Sequence, residues 1–372
     1  MDTNSSSYSV SYEYSYDLSD TFKHPLYIEI FISLFVWCIS FFTLTGNILV
    51  FGAFANDPQL RDKVGNLFIL NLASADLIVG INSLTFNNLW RYYGNWPFGE
   101  GICKLWMIFD YAATMQSTFA IVLISMDRYL MVTMELKYRT FMTRCKACSS
   151  IAFTWSSSLM FFAVPILGYE LWDPKPWIPH FDITCDNGVL YIMSYNIATL
   201  LYAFVFPGGL LVFFNIKVFH NIHKRAGGLV RSRKIAPESL SVHSVADPLQ
   251  ETSRDRHAGQ YQTRDAGAQQ EVAIQQVAHE KRRELRKDKK AAATLAMIVI
   301  VYVICWLPYY ITQLIYTYHE RQLYISWTVW NGVYYLTWLN SALNPCLYAI
   351  ASPKMRKNFL ELICFWKKCH RQ

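Results

Sequence analysis

The sequence predicts an all-α membrane protein, a seven-transmembrane helix bundle with a short amphipathic eighth helix. Three observations carry that expectation. Apolar residues make up 53% of the 372-residue chain and charged residues only 16%, against about a quarter charged in an ordinary soluble domain. The apolar residues run together instead of alternating: Ala147–Leu167, Val189–Ile216, Ala291–Tyr318 and Leu323–Ser352 contain no Asp, Glu, Lys or Arg. Each run exceeds the roughly 18 residues at which an apolar stretch reads as a spanning helix. A soluble enzyme and a disordered chain are thereby excluded. A disulfide-framed mini-protein is too, because nine cysteines in 372 residues are sparse. The runs are too long and too uniform for barrel strands of about ten alternating residues.

In chain order, residues 1–25 form an N-terminal tail with a glycosylation sequon at Asn4. No charged region followed by an apolar core precedes the first span, which is expected to act as its own signal anchor. Residues 26–222 hold spans one to five. Leu26–Phe54, Val64–Phe86 and Ile102–Val132 complete the set of seven and carry the isolated charges Glu29, Asp76, Lys104, Asp110, Asp127 and Arg128. Residues 223–287 form a third cytoplasmic loop, expected to be largely disordered because Ala236–Gln276 has few aromatics. Its flanks, Lys217–Arg225 and His279–Lys290, continue the fifth and sixth spans. Residues 288–352 hold spans six and seven. In 353–372, Met355, Phe359 and Leu362 alternate with Lys354, Arg356 and Lys357, the pattern of a helix lying on a membrane surface. Cys364 follows it as a candidate for S-acylation.

Seven spans put the termini on opposite sides. With the N-terminus outside, only Lys23, Arg91, Lys104, Lys175 and Arg321 fall outside, which leaves 29 of the 34 basic residues inside. The net charge of +7 is then concentrated on the cytoplasmic face. Membrane lipid and a cytosolic protein are the expected partners there, and nucleic acid is not. Cys103 and Cys185 both fall on the oxidising exterior, where a disulfide between them is expected.

Ionisable groups inside a bilayer cost a few kcal/mol even on lenient scales, so each is a functional candidate. Asp76 sits mid-span and needs a proton or a cation. Ser117, Asn340, Ser341 and Asn344 lie at depths that could supply oxygens to a sodium ion. Asp110 lies about two turns inside the outer end of the third span. An anion there among aromatic groups suits a cationic amine, through charge pairing and cation–π attraction. The aromatic candidates are Tyr111, then Trp306, Tyr309 and Tyr310 around Pro308, and Tyr334 and Trp338 at a spacing of four. Asp127-Arg128-Tyr129 stands at the inner end, with Arg128 about 27 Å from Asp110 along the helix. Arg128 can pair with Asp127 or with Asp288 at the foot of the sixth span, a restraint that can be made and broken. An ordinary snorkelling arginine is the competing reading. Pro165, Pro207, Pro308 and Pro345 offer kinks. Cys145 and Cys148 have no completing metal ligands and read as incidental.

Several of these motifs together resemble those of rhodopsin-type G-protein-coupled receptors: GNILV with Asn47, NLASAD with Asp76, CKLW with Cys103, DRY at Asp127–Tyr129, Trp155, Pro207, CWLPY at Cys305–Tyr309, and NPCLY at Asn344–Tyr348. The resemblance covers all seven spans and the tail helix. It implies ligand binding outside, helix rearrangement, and nucleotide exchange on a heterotrimeric G protein inside. It also implies a sodium site at Asp76, Ser117 and Asn340, switch roles for Asn344, Pro345 and Tyr348, further partners in arrestin and receptor kinases, and no required cofactor. Within the family the chain is similar to the biogenic-amine branch, with Asp110 as the amine-pairing acid. WPFGEGICKLW, LTWLNSALNP, Asn215 and Trp338 look most like the Gi-coupled histamine receptors. Tyr111, Trp306, Tyr309 and Tyr334 are shared with muscarinic acetylcholine receptors.

The resemblance carries the ligand set Asp110, Tyr111, Thr114, Thr199, Ala203, Trp306, Tyr309, Tyr310, Tyr334 and Trp338. It has departures. Ala203 stands where those histamine receptors have a Glu, with Thr199 one turn earlier, and Tyr310 replaces the muscarinic Asn. The fifth span lacks the serine cluster that meets catechol hydroxyls. Trp338 occupies the position of a visual pigment's retinal Lys. The expected function is a plasma-membrane receptor for a small, histamine-like cationic amine that couples to Gi/o, with an acetylcholine-type ligand as the alternative. A transporter would show inverted repeats and several midplane acids, and the sequence has no such repeat.

Overall fold

The computed structural model describes residues 26–172, 185, 188–240, 256–318 and 327–369. The first span is α1 (Leu26–Asn56), followed by the short α2 (Pro58–Arg61). The second span joins α3 (Asn66–Ile78), a π-helical turn (Val79–Leu84) and α4 (Thr85–Tyr93). The third is α5 (Gly99–Met134), which leads through a 3₁₀ turn (Glu135–Lys137) into the short α6 (Tyr138–Phe141). The fourth is α7 (Arg144–Trp172), and the fifth joins α8 (Met193–Leu200), a π turn (Leu201–Val205) and α9 (Phe206–Leu240). The sixth is the C-terminal half of α10 (Arg256–Tyr318), the seventh is α11 (Trp327–Ala351), and α12 (Pro353–Cys369) is the tail helix. The described residues contain no strand.

Six of these segments are long and apolar enough to cross a membrane: Ile30–Asn56, Asn66–Tyr93, Gly99–Phe141, Arg144–Tyr169, Met193–Ala226 and Ala292–Tyr318. The seventh span has 25 residues. Its apolar residues include six aromatics and are interrupted by Asn331, Asn340 and Asn344, which lowers its hydropathy. The third span is the axis of the bundle, with 89% of its apolar window buried against 22% for the fourth and fifth spans. Outward faces carry exposed Phe41, Phe42, Phe153, Met160, Phe213 and Ile300. Such a continuous apolar surface is stable against lipid and not against water.

Polar ties hold the spans in register. Asn47 donates through Nδ2 to the carbonyls of Thr43 (2.8 Å) and Ser341 (3.4 Å). Beside it a Cβ added at Gly46 would stand 2.8 Å from Cγ of Pro345, so the close approach of spans one and seven requires glycine. Asn71 Oδ1 accepts from Trp155 Nε1 (2.9 Å) and Gln116 Nε2 (3.2 Å), joining spans two, three and four.

The tail helix is longer than the expected Lys354–Leu362 stretch. It buries Met355 and Phe359 and anchors to the first inner loop, where Lys354 Nζ lies 2.9 Å from Asp57 Oδ2. Asn358 Nδ2 donates to the same oxygen at 3.2 Å. The Lys354 hydrogen bond, foremost among several partners, holds the Asp57 carboxyl below the ordinary range. Cys364 is exposed at the far end of this helix. The third loop differs from its expectation: α9 continues to Leu240, and α10 begins at Arg256 and runs unbroken into the sixth span. A scarcity of apolar residues denies this stretch a packed core, but its Ala, Gln, Glu and Arg are strong helix formers. The Asn4 sequon lies outside the described residues.

Candidate functional site

Asp110 is the centre of the outer site. The third span buries it to 3% exposure, and Trp338 Nε1 of the seventh span donates to its Oδ1 at 3.1 Å. Thr114, one turn on, donates its hydroxyl to the Asp110 carbonyl at 2.5 Å, which turns its methyl toward the neighbouring space. Around the carboxylate the aromatic residues of spans three, six and seven close into an enclosure. Tyr111 and Tyr334 share a hydroxyl–hydroxyl hydrogen bond of 3.0 Å. Tyr334 stands edge-on to Tyr309 (5.3 Å) and to Trp338 (5.2 Å). Trp306 stacks on Tyr310 at 5.8 Å.

These residues line one open-mouthed cleft whose non-atom space, mouth included, is about 430 Å³. All ten residues of the expected ligand set lie on its walls: Asp110, Tyr111, Thr114, Thr199, Ala203, Trp306, Tyr309, Tyr310, Tyr334 and Trp338. Met115, Phe162 and Thr337 line it as well and were not anticipated. Phe162 stacks on Tyr111 at 5.4 Å. In sequence it is one apolar residue in a uniformly apolar span, and no local signal separates it from lipid-facing neighbours.

The second buried carboxylate, Asp76, is fully enclosed. Ser117 Oγ donates to its Oδ1 at 2.9 Å and Asn344 Nδ2 to its Oδ2 at 2.8 Å. Asn340 and Ser341 are buried one turn earlier on the seventh span. The group therefore gathers a carboxylate, two hydroxyls and one amide from spans two, three and seven. Tyr348 is buried nearby on the same span, its hydroxyl without a hydrogen-bond partner among the described residues.

At the inner end, Arg128 Nε lies 3.9 Å from Asp127 Oδ2. Asp127 Oδ1 accepts a short hydrogen bond from the hydroxyl of Tyr138, on α6. Tyr138 carries no mark in the sequence, because only the turn after the third span brings it back to the acid. Tyr129 packs against Phe213 and Phe214 of the fifth span. The side chain of Asp288, the alternative partner expected for Arg128, lies outside the described residues. Outside, Cys103 and Cys185 form a disulfide with their Cα atoms 5.6 Å apart, which ties the third span to the loop before the fifth.

Comparison with known proteins agrees with this arrangement. Residues 46–348 match the family described as "7 transmembrane receptor (rhodopsin family)". The chain belongs to that family. It is a multi-pass membrane receptor of a non-enzymatic class. The receptor is 28% identical over 346 residues to the Alpha-1D adrenergic receptor of Sus scrofa, covering 91% of this chain and 57% of that one. It is 26% identical over 396 residues to the Histamine H4 receptor of Homo sapiens, covering 95% and 96%. It is 28% identical over 346 residues to the D(1A) dopamine receptor of Xenopus laevis, covering 88% and 71%. The receptor spans little more than half the length of the adrenergic receptors it matches. These relatives belong to the biogenic-amine group of the family.

Proposed function

We propose that this chain is a plasma-membrane receptor, N-terminus outside, for a small amine whose positive charge pairs with Asp110. The observation that supports it is one acid buried beside an open cleft to which seven aromatic residues contribute. In that low-dielectric setting a cation gains both the carboxylate's charge and the ring faces. Among the described residues, the cleft wall holds no acid besides Asp110. The fifth-span wall is Thr199 and Ala203, beside Phe162 and Met115, so the distal end of the ligand is compact, with little polarity beyond a group that Thr199 meets. Of histamine-like amines this favours singly charged ones. A choline-type head group is a second reading with its own support. The Tyr111 and Tyr334 hydroxyls are occupied with each other, and a methylated ammonium asks for ring faces, not acceptors.

Binding above Trp306 would move the sixth span outward, release Arg128 from its restraint by Asp127, or by Asp288, and open a basic cleft to a heterotrimeric G protein of the Gi/o class. Arrestin and receptor kinases would meet the same face. A ligand can do this only by binding one conformation better than the other. The Asp76 group fits an allosteric sodium ion. Its donors are hard oxygens around one carboxylate, with Ser117, Asn340, Ser341 and Asn344 at hand; bound there, the ion would supply positive charge that steadies one packing of spans two, three and seven.

The test is G-protein activation in cells expressing the chain, with histamine, acetylcholine and other amines, each beside Asp110→Asn. A response to one amine that disappears in the variant is expected. A response that survives Asp110→Asn unchanged would remove the acid as anchor. Silence across the panel at normal surface expression would count against an amine ligand.

A further inference from the structure

One hydrogen bond crosses from the sixth span to the pocket wall of the fifth, at a point where helix chemistry leaves a carbonyl short of its donor. Pro207 has no N–H, so it gives nothing to the carbonyl four residues back, which belongs to Ala203. Ala203 sits in the π-helical turn Leu201–Val205, where the backbone ladder also changes step. It is buried, and its side chain lines the ligand cleft. A buried carbonyl that lacks its regular i+4 donor is served by another group that can donate.

The donor comes from Tyr302, which is completely buried. Its hydroxyl lies 3.2 Å from the Ala203 carbonyl oxygen and 3.2 Å from that of Phe204, so one hydrogen is shared between two acceptors. The ring stacks on Phe204 at 5.6 Å and stands 6.3 Å from Trp306, which lines the same cleft. A phenylalanine would fill the same space and make the same ring contacts. What the tyrosine adds is the O–H.

We propose that Tyr302 is a positioning residue. Its hydroxyl latches the sixth span to the Ala203–Phe204 backbone, fixes the fifth-span wall of the pocket, and holds the two spans together in the resting conformation. The latch is made in the same structure in which Arg128 faces Asp127 at 3.9 Å, so the outer and inner restraints belong to one state. A displaced sixth span would carry the hydroxyl away from carbonyls fixed on the fifth. Ligand contact at Ala203 and movement of the sixth span are thereby coupled through a single bond. What the ligand does to the latch rests on the amine-receptor reading; the latch itself does not.

The experiment uses the full-length chain in lipid nanodiscs with bio-orthogonal distance labels at His223 and Lys289, both exposed on the cytoplasmic extensions of the fifth and sixth spans. Tyr302→Phe is compared with the parent without ligand, in the distance distribution and in basal G-protein nucleotide exchange. Losing a hydrogen bond of typical net strength is expected to raise the ratio of separated to closed states about fivefold, with basal exchange rising in step. An unchanged distribution at normal expression overturns the latch, and so does a shift toward the closed state. A shifted distribution with no exchange in either protein sustains the latch and tells instead against G-protein coupling. Pro207→Ala restores an N–H within reach of the Ala203 carbonyl. In that background Tyr302→Phe is expected to change the ratio less than about twofold. An undiminished shift there would overturn the orphan-carbonyl account.

Discussion

Of the three carboxylates buried among the described residues, Asp76 and Asp110 lie deep within the spans, and their surroundings differ in the one respect that decides what each can do. Asp76 has a side-chain donor on each oxygen, from Ser117 on the third span and Asn344 on the seventh. Asp110 has Trp338 on Oδ1, the Ser83 hydroxyl beside it and, beyond them, an open cleft rich in aromatic residues. Both pay the same desolvation cost of a charge removed from water. At Asp76 the protein supplies the compensation from the third and seventh spans, which makes the acid a knot among three helices. At Asp110 much of the compensation is left to whatever enters the cleft. Burial alone does not identify a ligand-binding acid; the number of donors already committed to it, and the space beside it, do.

Exchanging each acid for its amide tests that distinction, and Asp110→Asn carries the largest expected effect. Removing one partner of a buried charge pair costs about 2–5 kcal/mol, a potency loss of roughly 30-fold or more, read from agonist concentration–response curves at matched surface expression. Asp76→Asn keeps agonist affinity in sodium-free buffer and abolishes its dependence on sodium concentration. If both variants lost agonist affinity equally in sodium-free buffer, the two acids would be doing the same job and the contrast would fail. Trp338→Phe sharpens the comparison at intermediate size. It keeps an aromatic face and removes the donor to Asp110, a hydrogen bond to a charged group worth about 1.5–3 kcal/mol. Agonist affinity is expected to fall about tenfold in radioligand competition, and an unaltered affinity would show that Asp110 is oriented by something else.

How much of this was legible in the sequence follows the same division. Charges and prolines inside apolar runs are conspicuous because the bilayer makes them expensive, so Asp76, Asp110, Arg128 and the helix-interior Pro165, Pro308 and Pro345 could be read directly. Spacing placed Tyr334 and Trp338 on one face, and the family resemblance supplied Thr199 and Ala203. Residues whose contribution depends on tertiary approach left no trace. Phe162 and Met115 meet the cleft only because the fourth and third spans turn those faces inward. Tyr138 finds Asp127 through the turn after the third span, and Tyr302 matters only opposite the carbonyl that Pro207 leaves without a donor. The π turns Val79–Leu84 and Leu201–Val205 were equally invisible, since a one-residue change in helical step alters no hydrophobic run. The helices flanking the third loop run further than expected for a related reason. Composition reports what a segment can bury, while helix propensity acts without burial.

The smallest expected effect lies outside the membrane, at an acid whose partners are all in place and which water can reach. Asp57 accepts from Lys354, Asn358 and the backbone N–H of Gln59, and the Lys354 hydrogen bond leads the partners that depress its pKa. A depressed carboxylate stabilises the fold in full above its unfolded value of about 3.9, and that contribution disappears as pH falls through the lower folded value. Thermal unfolding of the full-length chain in nanodiscs should therefore show a modest deficit for Asp57→Asn at pH 7. The parent and the variant should converge only as the pH falls below the depressed folded value. A deficit that persists at low pH would assign the docking of α12 to the packing of Met355 and Phe359 and not to the ion pair. In that case the carboxylate at the membrane's edge would matter even less than its three partners suggest, and the contrast with Asp110, where an open cleft leaves an acid dependent on its ligand, would widen.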